Sequence, residues 1–153
     1  MRRSPTLAFW VIFLSACDCS LSDEAFDLAG DGAVDCGHFE VMELASEGHA
    51  CTVEAFRGQK PFVLQLEQQG TDSHVANALV GRRDGRVFGV EYDGHTGGGG
   101  GDGRPKTQRH ECLGPKVVTV GEQDASLMQN KRALAGDEVI VCSGDGSWTT
   151  ICD

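Results

Sequence analysis

The spacing of apolar residues changes repeatedly along this chain, and each change marks a different element. Residues 7–14 (LAFWVIFL) form an unbroken apolar run behind Arg2 and Arg3 and ahead of the small pair Ser15 and Ala16. At ~1.5 Å per residue such a run spans only ~12 Å as a helix, short of the roughly 20 residues that a bilayer core needs. A positive start, an apolar centre and a small-residue exit are the parts of an export signal. Further on, Val53 and Phe56 fall three apart, and Cys51 and Ala55 four apart. That spacing predicts a helix from Ser46 to about Arg57 with one buried stripe. Ser46 is its expected cap, Glu47 suits its first turn, and Gly58 followed by Pro61 stops it. The period then shortens. Phe62, Leu64 and Leu66 alternate with Val63, Gln65 and Glu67, as in a strand with one wet face. Residues 75–80 and 87–92 predict two more strands, joined by a hairpin turn at Arg83-Asp84-Gly85. Later strands are expected at 117–120, 139–142 and 148–152, with a short polar helix or loop between the first two and a turn at Gly144-Asp145-Gly146.

These elements imply an α+β fold in which one helix packs on an antiparallel β-meander. The element order is similar to that of cystatin-like and related α+β folds. Residues 94–105 interrupt it with seven glycines in twelve positions. Such a run has little to pack and a high ordering cost, so a mobile glycine-rich loop is expected. Residues 18–35 carry Asp18, Asp23, Glu24, Asp27, Asp31 and Asp35 and no basic residue. Like charges and a low apolar content predict a solvated acidic tether over 17–35, with a single folded domain over 36–153.

The residues Leu14-Ser15-Ala16-Cys17 resemble the lipobox of bacterial lipoproteins at every position. The resemblance covers residues 1–17. It implies that residues 1–16 are a lipoprotein signal peptide and that Cys17 becomes the lipidated N-terminus. It also implies a place in the bacterial cell envelope, held to a membrane by the lipid, on the periplasmic side or the outer surface. Two or three acyl chains suffice for stable anchoring where one is marginal. The remaining residues of a twin-arginine motif do not accompany Arg2 and Arg3, which favours general secretion.

Cleavage changes the charge. The chain has 13 basic and 23 acidic side chains; losing Arg2 and Arg3 leaves 11 basic ones and a net charge of −12. Such a surface repels phosphate backbones, which argues against nucleic-acid binding. Beyond Cys17 come Cys19, Cys36, Cys51, Cys112, Cys142 and Cys152. An even number in an exported domain favours disulfides over metal or catalytic roles. If Asp145-Gly146 is a two-residue turn, Cys142 and Cys152 sit too far apart to bridge each other, and Cys112 is a reasonable partner for one of them. Cys19, beside the lipid, is the candidate for an odd thiol.

Candidate chemistry is thin. Cys36, His38, His49 and Cys51 offer ligand types that zinc accepts, but His49 and Cys51 diverge by roughly 200° on the expected helix. A Cys36–Cys51 disulfide accounts for the same residues. Asp27, Asp31 and Asp35 lack the alternate-position order of a calcium loop. Gly98, Gly100 and Gly103 satisfy GxGxxG without the strand and helix that a dinucleotide site requires, and no cofactor is implied. Asp72-Ser73-His74 has the letters of a hydrolase triad, but neighbouring strand residues point to opposite faces. Arg104, Lys106, Arg109 and His110 form a basic cluster in an acidic chain and are the candidate patch for an anionic polymer or protein partner. The sequence therefore favours a non-catalytic, lipid-anchored binding or structural module, with no catalytic or metal residue to name. A small extracytoplasmic hydrolase and a metal-binding envelope module are the alternatives.

Overall fold

Residues 20–70, 73–94, 104–121 and 132–152 are described by a computed structural model. The signal segment, Cys17 and Cys19, and the glycine-rich residues 95–103 lie outside the described residues. In chain order the elements are α1 (Leu21–Ala29), β1 (Val34–Phe39), α2 (Ser46–Arg57), β2 (Phe62–Gln69), β3 (His74–Gly81), β4 (Val87–Asp93), β5 (Lys106–Leu113), β6 (Lys116–Thr119), β7 (Glu138–Val141), β8 (Gly144–Asp145) and β9 (Thr149–Cys152). The main sheet has the order β1-β2-β3-β4-β5, with β8 and β9 both pairing β5, and β6 pairs β7 separately. The fold is α+β and rich in strands. Its pairings are antiparallel except for β1, which runs parallel to β2 with α2 as the crossover.

The expected acidic tether instead contains a helix packed on the sheet. Ser20 caps α1, its Oγ accepting from the Asp23 N–H at 3.4 Å, and Asp23 and Glu24 occupy the first turn. Acidic side chains there are favoured by the unsatisfied N–H groups and the helix dipole, so the charge that reads as repulsive also supports the helix. Leu21, Ala25 and Ala29 recur every four residues on its buried side. They pack on Val63, Ala76, Ala78, Val80, Phe88 and Val90. The face of β2 expected to be wet is thereby covered, and Gln65 is buried with its Nε2 donating to Ser22 Oγ at 3.4 Å.

The other sheet face meets α2. Phe62, Leu64 and Val87 pack against Val53 and Ala55 of the helix and against Ile140 of β7. Ser46 is the first helical residue and does not cap α2. The cap position is Ala45, and Ser46 Oγ donates to Asp137 Oδ2 at 2.6 Å. Two disulfides hold this layer down. Cys36–Cys51 ties α2 to β1, and Cys112–Cys142 ties the end of β7 to β5. The first is the favoured pairing and the second is one of the two that the sequence leaves open to Cys112; together they place the chain in an oxidising, extracytoplasmic compartment. The β3–β4 turn is also as expected, with Gly85 at φ +81° and its N–H donating to Arg82 O at 3.0 Å.

The close approach of α2 depends on Gly48. A Cβ there would lie 2.5 Å from Phe39 Cε2 and 2.6 Å from Leu64 Cδ1. Alanine at a helix interior normally gains up to ~1 kcal/mol over glycine. Here overpacking should cost ~1–3 kcal/mol and win. Gly48→Ala is therefore expected to lower the denaturation midpoint; a midpoint that rises would show that α2 does not sit this close to the sheet.

Candidate functional site

Strand alternation sends Leu66, Asn77, Leu79, Gly89, Glu91 and His110 to the α2 side of the sheet, beyond the width that α2 covers. There Leu66, Asn77, Leu79 and Glu91 floor a cleft about 550 Å³ in volume, walled by His49, Ile140, Cys142 and Asp145, and Gly89 and His110 line the hollow that adjoins it. A second hollow of about 650 Å³ shares Leu79, Glu91, Cys142 and Asp145 with the first and extends it towards Lys116 and Trp148. The two form one continuous groove between α2, the β6–β7 pair and the segment 143–148.

The walls of the groove are fixed by polar ties. Asp137, just before β7, accepts from Ser46 Oγ and from the Leu134 N–H at 2.7 Å. Arg57 of α2 forms a two-pronged pair with Glu138 at 2.7 and 2.8 Å. Arg132 donates to the carbonyls of Phe39 and Glu40, joining the loop before α2 to the segment before β7. Hydrogen bonds from Ser46 and Leu134, followed by the charge of His49, hold the Asp137 carboxyl below the usual carboxylate range.

The groove's chemistry is acceptor-rich. Asn77 Oδ1 is buried without a hydrogen-bond partner. The Glu91 and Asp145 carboxylates line both hollows. His110 Nδ1, also buried, lies 3.4 Å from Asp145 Oδ1 without closing a hydrogen bond. The His110 ring leans on Trp148, with centroids 4.3 Å apart and planes at 41°. Trp148 itself is 46% exposed, so an aromatic face stands at the mouth of the groove. Gly89 makes this arrangement possible, because a Cβ there would lie 2.2 Å from His110 Nε2.

The structure redistributes the other candidate residues. The basic cluster does not form one surface: Lys106 and His110 face the groove side of β5, Arg109 faces the α1 side opposite Val90, and Arg104 precedes the strand. Of the candidate zinc set, Cys36 and Cys51 are consumed by their disulfide, and His38 Nε2 pairs with Glu67 Oε1 at 2.9 Å. His74 Nε2 approaches the same oxygen at 3.4 Å. Asp72, the acidic letter of the triad pattern, lies outside the described residues, and His74 is turned to Glu67. Asp27 lies in α1, Asp31 in the turn that follows and Asp35 in β1. Among the described residues no group of three His, Cys, Asp or Glu side chains forms a metal site.

Sequence reasoning missed Asn77, Glu91, Asp145 and Trp148. Asn77 and Glu91 stand on the groove-facing alternate positions of β3 and β4, whereas Asp145 and Trp148 come from the segment before β9, and only the structure makes them neighbours. No protein-family model, curated protein or solved structure matches the chain.

Two outcomes follow from this geometry. Asp137 is held below its ordinary value, so its stabilising contribution is complete above the unfolded carboxyl pKa of ~3.9 and is lost as pH falls through the folded value. Asp137→Asn should remove that part of the acid dependence and cost about 1 kcal/mol at neutral pH, measured by urea unfolding across pH. Gly89→Ala should expel the His110 ring and change the emission of Trp148. An unchanged spectrum would show that the ring does not cross β4.

Proposed function

We propose that the protein is a lipid-anchored protein of the bacterial cell envelope, held by a lipid on Cys17, and that it binds a partner protein by seating a cationic side chain in the groove beside Trp148. The lipobox resemblance and the oxidised cysteines support the location. The binding reading is carried by one observation: the buried, unpartnered Asn77 Oδ1 and the carboxylates of Glu91 and Asp145 face a single groove. A buried acceptor left unpaired costs free energy that an incoming donor can recover. A lysine or arginine head supplies several donors, and the exposed face of Trp148 favours a cation by its ring quadrupole. The net charge of −12 after signal removal steers such a partner inward.

Trp10 leaves with the signal, so Trp148 becomes the sole tryptophan and its fluorescence reports on the groove. Titration with the tripeptides Gly-Lys-Gly and Gly-Arg-Gly should give a saturable change that weakens with added salt. Glu91→Gln and Asp145→Asn should each weaken it by roughly five- to tenfold, about 1–1.4 kcal/mol. Equal responses to Gly-Glu-Gly, or none to any peptide, would remove the cationic-partner reading.

The hydrolase reading gains support from His110 beside Asp145 with Glu91 in the same groove, a base, an orienting acid and a second carboxylate. Turnover of an ester, amide or glycoside reporter that disappears in His110→Asn and in Glu91→Gln would favour it. Turnover that survives both substitutions would count against it.

A further inference from the structure

We infer that the turn carrying Val41, Met42 and Leu44 docks on a zwitterionic phospholipid surface, so that the domain meets its membrane with this end down. The docking rests on the lipid-anchor reading of Cys17. Six large apolar side chains are exposed among the described residues, and three of them fall within residues 41–44. Met42 is 86% exposed, Leu44 56% and Val41 37%. The backbone holds them outward. The Glu43 N–H donates to Glu40 O at 3.1 Å and the Glu40 N–H to Glu43 Oε2 at 3.0 Å, closing a turn with Val41 and Met42 at its tip. Met42 stands at φ +72°, in the left-handed region that glycine or asparagine normally fills at such a position. The flanks are pinned as well. Arg132 donates to the carbonyls of Phe39 and Glu40, and the Ala45 N–H donates to Arg132 O at 3.0 Å. A turn fixed in this way leaves its apolar tip in water unless something covers it.

The occupant follows from where the chain enters the fold. β1 ends at Phe39, opposite Leu66 of β2, and His38 beside it is opposite Gln65. Gln65 also donates to Ser22, in the first turn of α1. Gly32, beyond the other end of α1, instead lies near Arg83 of the β3–β4 turn. Ser20 and the apolar turn therefore share one end of the sheet, and the β3–β4 turn marks the opposite end. Cys17 precedes Ser20 by three residues. Three Cα steps reach at most ~11 Å, so a lipid on Cys17 brings the apolar end to the bilayer and leaves the β3–β4 turn on the far side. Apolar side chains at such a surface lodge roughly 5–10 Å into the boundary between headgroups and acyl chains. Charge selects the headgroup. Glu40 and Glu43 flank the tip, and the net charge of −12 after signal removal repels anionic lipid.

The test uses the full chain, exported and then reconstituted into phosphatidylcholine vesicles with brominated acyl chains. Trp148→Phe clears the background, and Met42→Trp, Leu44→Trp or Arg83→Trp then supplies a single emitter in the mature chain. Emission from Met42→Trp and from Leu44→Trp should shift to the blue and be quenched roughly threefold more than that from Arg83→Trp. Replacing phosphatidylcholine with phosphatidylglycerol should weaken the contrast; a contrast that holds or strengthens overturns the choice of headgroup. Intact mass decides separately whether Cys17 carries lipid. A lipidated chain in which the three emitters are quenched alike, or not at all, overturns the docking and leaves the anchor standing. The expected contrast without lipid on Cys17 upholds the docking and overturns the anchor, and loss of both overturns both. A blue shift that appears without vesicles and grows with protein concentration assigns the turn to a second copy of the chain and overturns the lipid surface.

Discussion

Strands β2, β3 and β4 are apolar at successive positions as well as alternate ones, so both faces of the sheet must be kept from water. Phe62 and Leu64 point one way and Val63 the other, and all three are buried. One helix cannot satisfy that demand. The chain meets it by laying α1 over one face and α2 with the β6–β7 pair over the other. Burial of this kind is worth roughly 25 cal/mol per Å² of apolar surface, and it recruits even a segment as acidic as residues 20–29.

The groove follows from how the second face is covered. A helix is narrower than a sheet of this width, and α2 lies against β1 and β2. The β6–β7 pair reaches further across, meeting β4 at Val87 and β5 through the Cys112–Cys142 disulfide, but leaves Asn77, Glu91 and His110 lining open hollows. What remains is a strip of sheet floored by side chains that are neither core nor bulk surface. Asn77, Glu91 and His110 stand there at positions that elsewhere in the same strands carry Leu79, Val87 and Cys112. Polar residues at sites of this kind weaken the core, and a ligand-facing surface gives them a physical purpose.

Much of the fold was legible in the sequence because local rules governed it. The α2 range, the β2–β4 meander, the turn at Arg83-Asp84-Gly85 and the Cys36–Cys51 disulfide follow from short-range spacing, whereas the choice of Cys142 over Cys152 as the partner of Cys112 does not. The α1 helix was equally present in the letters, as Leu21, Ala25, Leu28 and Ala29 at helical spacing after Ser20. Charge alone makes its acids read as repulsive, but Asp23 and Glu24 fall in the first turn, where a helix favours them. The parallel pairing of β1 was not legible. A bulge between Asp35 and His38 shifts the alternation, and nothing local says which edge of β2 the strand will join. The groove was illegible for the same reason. Its residues come from separate strands, and only long-range order makes them neighbours. The basic cluster shows the converse, since sequence proximity on a strand sent Arg109 and His110 to opposite faces.

The edges of the sheet carry a further consequence. On one side β1 is short, bulged, and exposes Asp35 and His38. On the other, β5 is shielded in two places, by β9 along Thr107 to Arg109 and by β8 at Cys112 and Leu113. Neither margin offers an unbroken row of amide groups to a second sheet. Crowded copies can therefore collide edge to edge without zipping into a continuous aggregate.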